Sequence, residues 1–231
     1  DLENQPIGIA DMGCGDGSML IHLYSIVKNN TIRGNHLDKF PLKIIGADFN
    51  KAARLASSIN LNNAGIEHSI LNGDISNPAS YASNLKENYG LDLKKMLNVR
   101  SFLDHNRIYT SPKSSFHGTK CDSTGAYAYR GRWIPNNELK QNLIEHWQAW
   151  AEYVGKFGLL ILELHTINPL LASSNLGKTV ATAYDGTHGY SDQYIFEIDT
   201  MLDAAKAGGL IPDEQFKACF PNNKLTTISI N

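Results

Sequence analysis

Asp11-Met12-Gly13-Cys14-Gly15-Asp16-Gly17 closes one pattern and opens another. Before it runs Ile7–Met12, apolar and the length of a strand. After it Leu20, Leu23, Tyr24 and Val27 recur at i, i+3, i+4 and i+7, the buried face of a helix. Glycines at 13, 15 and 17 permit positive φ and let a ligand approach bare backbone. A helix N-terminus behind them offers N–H groups to the anionic end of a ligand. The dinucleotide fingerprint is one candidate for such a turn, but it wants Gly or Ala as its third small residue. Counting from Gly13 puts Ser18 there, and Asp11 has no part in that fingerprint.

Outward from this turn, short apolar runs alternate with helical spacing, which marks βαβ units around a parallel sheet. The predicted strands are Ile7–Met12, Lys43–Asp48, Glu67–Leu71, Lys95–Leu103 and Gly158–His165. A second helix from Asn50 is expected to turn Ala52, Leu55, Ala56 and Ile59 inward. A third runs from Pro78 to Asn88, with proline in the first turn where its missing N–H costs nothing. A fourth, Asn137–Gly155, carries Leu139, Leu143, Trp147, Trp150 and Val154, and a fifth covers Ser191–Ala207. At the end, Gln215–Phe220 and Lys224–Ile230 flank Pro221-Asn222-Asn223, which reads as a tight antiparallel hairpin. Two connections are long, 104–136 and 166–190. Both leave carboxyl ends of strands, the edge where open α/β sheets bind ligands, so they are expected to form the substrate side.

Composition narrows the function. The chain has 231 residues, 42% hydrophobic, with a formal net charge of −2, enough for one α/β domain spanning 1–231. Near-neutral charge without a like-charge run argues against nucleic acid as partner. The longest apolar stretches, such as Gly158–Leu162, fall far short of the roughly 20 residues of a membrane helix. Three cysteines, Cys14, Cys121 and Cys219, show no CxxC spacing, which favours a reducing cytoplasm and gives no support to structural zinc. The chain opens at Asp1, close to the first strand, and is expected to be part of a longer one.

Asp11 to Gly17 resembles the acid-x-Gly-x-Gly-x-Gly motif of class I S-adenosylmethionine (SAM) dependent methyltransferases at every defined position. The resemblance implies a Rossmann-like α/β fold, a mostly parallel seven-stranded sheet ending in an antiparallel hairpin. It also implies that Asp11, Gly13, Gly15 and Gly17 hold the methionine portion of SAM. Asp48, ending the second strand, resembles the acid that accepts both ribose hydroxyls, as two carboxylate oxygens can. Asp74 resembles the adenine-contacting acid, with Ile75 packing on the ring. The plainer alternative is that Asp48 and Asp74 cap helices.

The second half narrows the resemblance. Ser101, Asp104, His105, Asn106, Arg107 and Tyr109, then Trp133 and Asn136, Asn142 and His146, Glu163, His165 and Thr166, and Thr187, His188, Asp192, Gln193 and Tyr194 resemble the metal-dependent C-methyltransferase domains of polyketide synthase loading modules of the apratoxin type. That implies a mononuclear iron(II) or manganese(II) ion beside SAM, and methylation at the α-carbon of a malonyl group on an acyl carrier protein, with neighbouring synthase domains as further partners. The chemistry is coherent: the α-carbon must lose a proton before it attacks the SAM methyl, and a divalent cation stabilises the enolate. A mixed N/O ligand set suits iron or manganese better than closed tetrahedral zinc.

Asp104, His188 and Gln193 are the expected ligands. Strand alternation would turn Asp104 and His105 opposite ways, leaving His105 and His165 as the catalytic candidates, for proton abstraction or enolate contact. Each has an ordinary alternative: Asp104 a turn acid, His105 a packing residue, His165 a satisfied strand-end histidine, Gln193 a surface residue. His146 lies mid-helix with no partner in view and reads as structural. Arg107 suits a carboxylate or phosphate, or a loop salt bridge. Tyr127, Tyr129 and Trp133 either wall the pocket or pack the insert. Two rival functions stand beside this one: a metal-free methyltransferase acting on oxygen or nitrogen of a small molecule, and a silent domain that keeps the fold to dock a carrier protein.

Overall fold

The computed structural model describes residues 1–181 and 190–231. In chain order its main elements are β1 (Gly8–Met12), α1 (Ser18–Asn30), β2 (Lys43–Asp48), α2 (Lys51–Asn63), β3 (His68–Asn72), α3 (Pro78–Tyr89), β4 (Leu97–Ser101), β5 (Tyr127–Tyr129), β6 (Arg132–Ile134), α4 (Asn136–Val154), β7 (Leu159–Leu164), α5 (Pro169–Ser173), α6 (Ile198–Ala207), β8 (Ala218–Phe220) and β9 (Ile228–Ile230). Seven strands form one sheet in the order β3-β2-β1-β4-β7-β9-β8; β5 and β6 form a separate two-stranded ribbon. β1 pairs in parallel with β2 and β4, and β2 with β3, while β9 is antiparallel to both β7 and β8. The expected Rossmann-like plan with an antiparallel close is therefore present. No helix among the described residues is long and apolar enough to cross a membrane.

Two compact units make up the chain. The first comprises Asp1–Ser101 and Glu152–Leu160. All of β1 is buried, as a central parallel strand must be. Ile9, Cys14, Leu20, Ile44, Leu61, Ile66 and Val99 form its core, with Leu23 and Tyr24 of α1 packed against it. β1 lies between β2 and β4, so strand order reverses beside it, and in open α/β sheets ligands bind at the carboxyl edge of that switch point.

Helix α2 sits in a different rotation from the expected one. Leu55 and Ile59 are 64% and 49% exposed and Ala52 is exposed; Ser57 and Leu61 point inward. The reason is the glycine turn. Gly17 has φ +82°, and a Cβ on it would lie 2.7 Å from Ser57 Oγ and 3.2 Å from Ser57 Cα. So close an approach admits only small side chains on the facing turn of α2, and excludes leucine and isoleucine.

The second unit comprises Phe102–Ala151 and Ile161–Asn231. Leu139, Leu143, Trp147 and Trp150 form the predicted buried stripe of α4. Three boundaries depart from expectation. The fourth strand stops at Ser101, so Asp104 and His105 sit in a single 3-10 turn, Asp104–Asn106, where strand alternation does not apply. The last helix begins at Ile198 rather than Ser191. Tyr194, Ile195 and Phe196 are buried in succession, which a helix stripe cannot do, and the segment bonds as extended chain: Tyr194 N donates to His105 O at 2.8 Å and Thr166 N to Phe196 O at 3.3 Å. The terminal hairpin is also looser, with residues 221–227 between its strands. Asn223 Oδ1 accepts the Leu225 N–H and Thr226 N donates to Asn223 O, so the turn chemistry continues past Asn223.

Candidate active site

In the first unit, the turn after β1 is built on the end of β2. Gly13 N and Cys14 N both donate to Ala47 O, at 2.7 and 3.0 Å, and Gly17 N to Cys14 O at 2.8 Å. Gly15 N donates to Asp48 Oδ2 at 3.1 Å, and Ser18 N to Asp16 Oδ1 at 3.0 Å. The N–H groups of these five residues are thus bonded within the chain; of them only Ser18 belongs to the N-terminus of α1, the helix end expected to offer its N–H groups to an anion. What faces a ligand is different. Gly15 has φ +53°, and a Cβ on it would meet no atom within 4 Å, so its backbone borders open space. Asp11 is 1% exposed and its Oδ1 has no hydrogen-bond partner among the described residues. Burial, and then the Asp48 carboxylate, push its pKa up to about 8. A buried acid of that kind fits the cationic methionine end of SAM.

Asp48 also accepts Asn50 N at 2.7 Å, and Asp74 Oδ1 accepts Ser76 N at 2.8 Å. Neither acid caps its helix. That role falls to Asn50, which accepts from Ala52 N, and to Asn77, which accepts from Ser80 N. Asp74 is exposed and Ile75 buried. Two residues that motif reading passed over belong here. Phe49, next to Asp48, is 73% exposed. Arg54 Nη1 donates to Asp48 O, Phe49 O and Asn72 Oδ1, at 2.8, 2.9 and 2.9 Å, and so joins the ends of β2 and β3.

The second unit gathers two buried acid–imidazole pairs. His105 Nδ1 lies 2.5 Å from Glu163 Oε1, and His105 N donates to Glu163 Oε2 at 3.2 Å. Asp104 Oδ1 lies 2.8 Å from His146 Nε2. Asp104, His105, Arg107, Glu163, His165 and Tyr194 are among the residues lining a cavity of about 10 Å³. His146, set aside as structural on sequence, falls on the inward stripe of α4 between Leu143 and Trp150, and an imidazole there needs a polar partner. Glu163 likewise takes an inward position: Ile161, Glu163 and His165 are the buried alternate residues at the end of β7.

His165 is wholly buried. Its Nδ1 lies 3.3 Å from Phe196 O and its Nε2 2.7 Å from Ser229 Oγ. A carbonyl can only accept, so Nδ1 carries the proton and Nε2 accepts from the serine. Burial lowers its pKa to about 4. With both nitrogens engaged, neither takes a substrate proton in this arrangement, which corrects the expectation of a catalytic His165. Of the expected metal ligands, Asp104 is bonded to His146, Gln193 is half-buried beside Tyr194, and His188 lies outside the described residues. Among the described residues no three His, Cys, Asp or Glu side chains form a group able to hold a metal ion.

Tyr127 is buried, its hydroxyl donating to Ile195 O at 3.0 Å, whereas Trp133 is exposed. Tyr109, Tyr129 and Tyr194 form a ring cluster, Tyr109 lying 5.5 and 6.0 Å from the other two.

Several solved structures are similar to this chain. They include the geranyl diphosphate C-methyltransferase of Streptomyces coelicolor, with 10% identity over 94% of this chain and 58% of that one, at a TM-score of 0.49. "PigF with SAH" shows 11% identity, 100% and 51% coverage, and a TM-score of 0.49. The cyclopropane synthase MmaA2 of Mycobacterium tuberculosis shows 10% identity, 90% and 57% coverage, and a TM-score of 0.45. The chain thus spans little more than half the length of these structures. No curated protein matches it. The family profile of the AprA MT2-like domain matches residues 1–231. The chain therefore belongs to the AprA MT2-like domain family, and it is a methyltransferase domain whose methyl donor is S-adenosylmethionine.

Proposed function

We propose that the domain transfers the SAM methyl group to the α-carbon of a malonyl-type acyl thioester delivered by an acyl carrier protein in polyketide-type biosynthesis. The observation that carries this reading is the buried His105–Glu163 pair. Carbon methylation needs a base, because the α-carbon becomes nucleophilic only when its C–H bond is broken. Glu163 accepts the Nδ1 proton of His105, which leaves Nε2 with a lone pair for the substrate proton. The electron pair left on carbon, delocalised into the thioester, then attacks the methyl carbon of SAM. The S–CH₃ bond breaks with its electrons remaining on sulfur, giving S-adenosylhomocysteine and the C-methylated thioester.

A mononuclear iron or manganese ion belongs to the same proposal. Asp104 is a buried carboxylate braced by an imidazole, which suits an oxygen ligand for a hard divalent ion, and Gln193 and His188 would complete the set. When bound, such an ion supplies Lewis acidity to the enolate oxygens. A second reading, the same transfer run by His105 and Glu163 alone, is favoured by one observation: Asp104 is already bonded to His146. The test is incubation of malonyl-carrier protein with SAM and the purified protein, before and after exhaustive chelation, followed by mass spectrometry of the acyl arm. A gain of one methyl group that disappears on chelation and returns with iron(II) or manganese(II) is the expected result. Full methylation after chelation selects the metal-free reading, and no methylation of any carbon acid overturns both.

A further inference from the structure

Arg107 is 3% exposed, and neutral groups hold it. Its Nε donates to Asn142 Oδ1 and its Nη1 to Asp104 O, both at 2.8 Å, while Asn142 Nδ2 is itself fixed on Thr110 O at 2.8 Å. The guanidinium lies 5.7 Å from the centre of the Tyr194 ring. The two carboxylates that line its cavity, Asp104 and Glu163, are bonded to His146 and His105. Burial lowers the Arg107 pKa only to about 10, so the group is a cation at neutral pH.

Arg107 Nη2 is buried and has no hydrogen-bond partner among the described residues, and the same is true of the Tyr194 hydroxyl. Both residues line the one small cavity with His105. A buried N–H of a charged group left unbonded is costly, more so than a neutral one. The occupant that satisfies a guanidinium edge and a phenol together is an anion with two oxygens, a carboxylate before all others.

We infer that Arg107 Nη2 and the Tyr194 hydroxyl receive the free carboxylate of the acyl group, which makes Arg107 the residue that selects a thioester bearing a second acid. The inference rests on the malonyl reading above and names the residue behind it. The cavity, about 10 Å³, is water-sized. A carboxylate therefore enters with a shift of the Tyr194 side chain or its neighbours, and a lone water is the rival occupant.

Calorimetry with malonyl-pantetheine and malonamoyl-pantetheine, in the presence of S-adenosylhomocysteine, separates these outcomes, since the two thioesters differ only in exchange of the carboxylate for a neutral amide. The unaltered protein should prefer the malonyl thioester by about tenfold or more, the size of a charge-assisted hydrogen bond. Arg107→Gln should bring that ratio to about one while S-adenosylhomocysteine affinity is kept, and Tyr194→Phe should reduce it by about threefold or more. Should the glutamine variant fail to fold, Arg107→Lys and Tyr194→Phe carry the test, and a ratio unchanged in both overturns the inference. So does an unaltered protein that binds both thioesters equally, the result expected of a water site. If the unaltered protein neither binds nor methylates either thioester, it is the malonyl reading that fails, and the carboxylate site is withdrawn with it.

Discussion

Glu163 holds His105 at two points, accepting the ring proton through Oε1 at 2.5 Å and the backbone N–H through Oε2 at 3.2 Å. The carboxylate fixes both where the imidazole stands and which nitrogen carries the proton. Glu163 Oε1 also accepts the Leu164 N–H at 2.7 Å, so the acid cannot swing away from its own strand.

Glu163→Gln keeps the shape of the side chain and removes its charge. Turnover in the methylation assay should fall by about 100-fold, the lower range of what a positioned base contributes, while SAM affinity, a property of the other unit, stays the same. Single-turnover mass spectrometry measures the first quantity and calorimetry the second. A variant that methylates at the original rate would show that His105 takes no proton.

Asp11, as the acid proposed to meet the cationic end of SAM, should make SAM binding depend on pH. With its pKa pushed up to about 8 by burial and by Asp48, the carboxyl holds its proton at neutral pH in the protein without SAM. A cationic ligand favours the carboxylate, so binding expels that proton. Affinity should strengthen by about tenfold per unit as pH rises toward 8 and level off above. Asp11→Asn should abolish the slope. Calorimetry in buffers of differing protonation enthalpy counts the protons released; none released near neutral pH would mean that the acid does not meet the cation.

His165 has the opposite bearing on the fold. Its pKa in the folded chain, about 4, lies below the ordinary value, so protonation favours the unfolded chain. Stability is complete above about pH 6.5 and declines as pH falls toward 4, by at most about 3 kcal/mol. Urea melts across that range should show the decline, and His165→Gln should flatten it at the expense of a lower plateau. A wild-type curve flat from neutral pH to 4 would contradict the buried neutral imidazole.

The sheet was legible because parallel strands with both faces covered must be apolar throughout. Helix α2 was not, since its rotation is decided by how closely Gly17 approaches Ser57, a distance that periodicity does not contain. The acids Asp11, Asp48 and Asp74 stand out in the sequence only through resemblance to a family motif. His146 and Glu163 were missed for a different reason. Each stands in a pattern whose apolar members explain it as core, and only a partner from a distant segment, Asp104 or His105, reveals the polar role. The expected ion site shared that weakness, because which side chains converge is a property of loops.

Phe49 offers a final test of the donor site. It follows Asp48, the acid expected to bind the ribose, stands 73% exposed, and its backbone carbonyl is held by Arg54 Nη1 at 2.9 Å. An exposed aromatic ring on a fixed backbone contributes little to folding and is open to stacking by a flat partner, which we propose is the adenine of SAM. Stacking of a base on such a ring is worth about 1–3 kcal/mol. Phe49→Ala should therefore weaken S-adenosylhomocysteine binding by about 5- to 100-fold at an unchanged melting temperature. Phe49→Trp should restore affinity and report binding through quenching of the new indole. Equal affinity in the alanine variant would place the adenine elsewhere, whereas a lowered melting temperature without ligand would make Phe49 a packing residue after all.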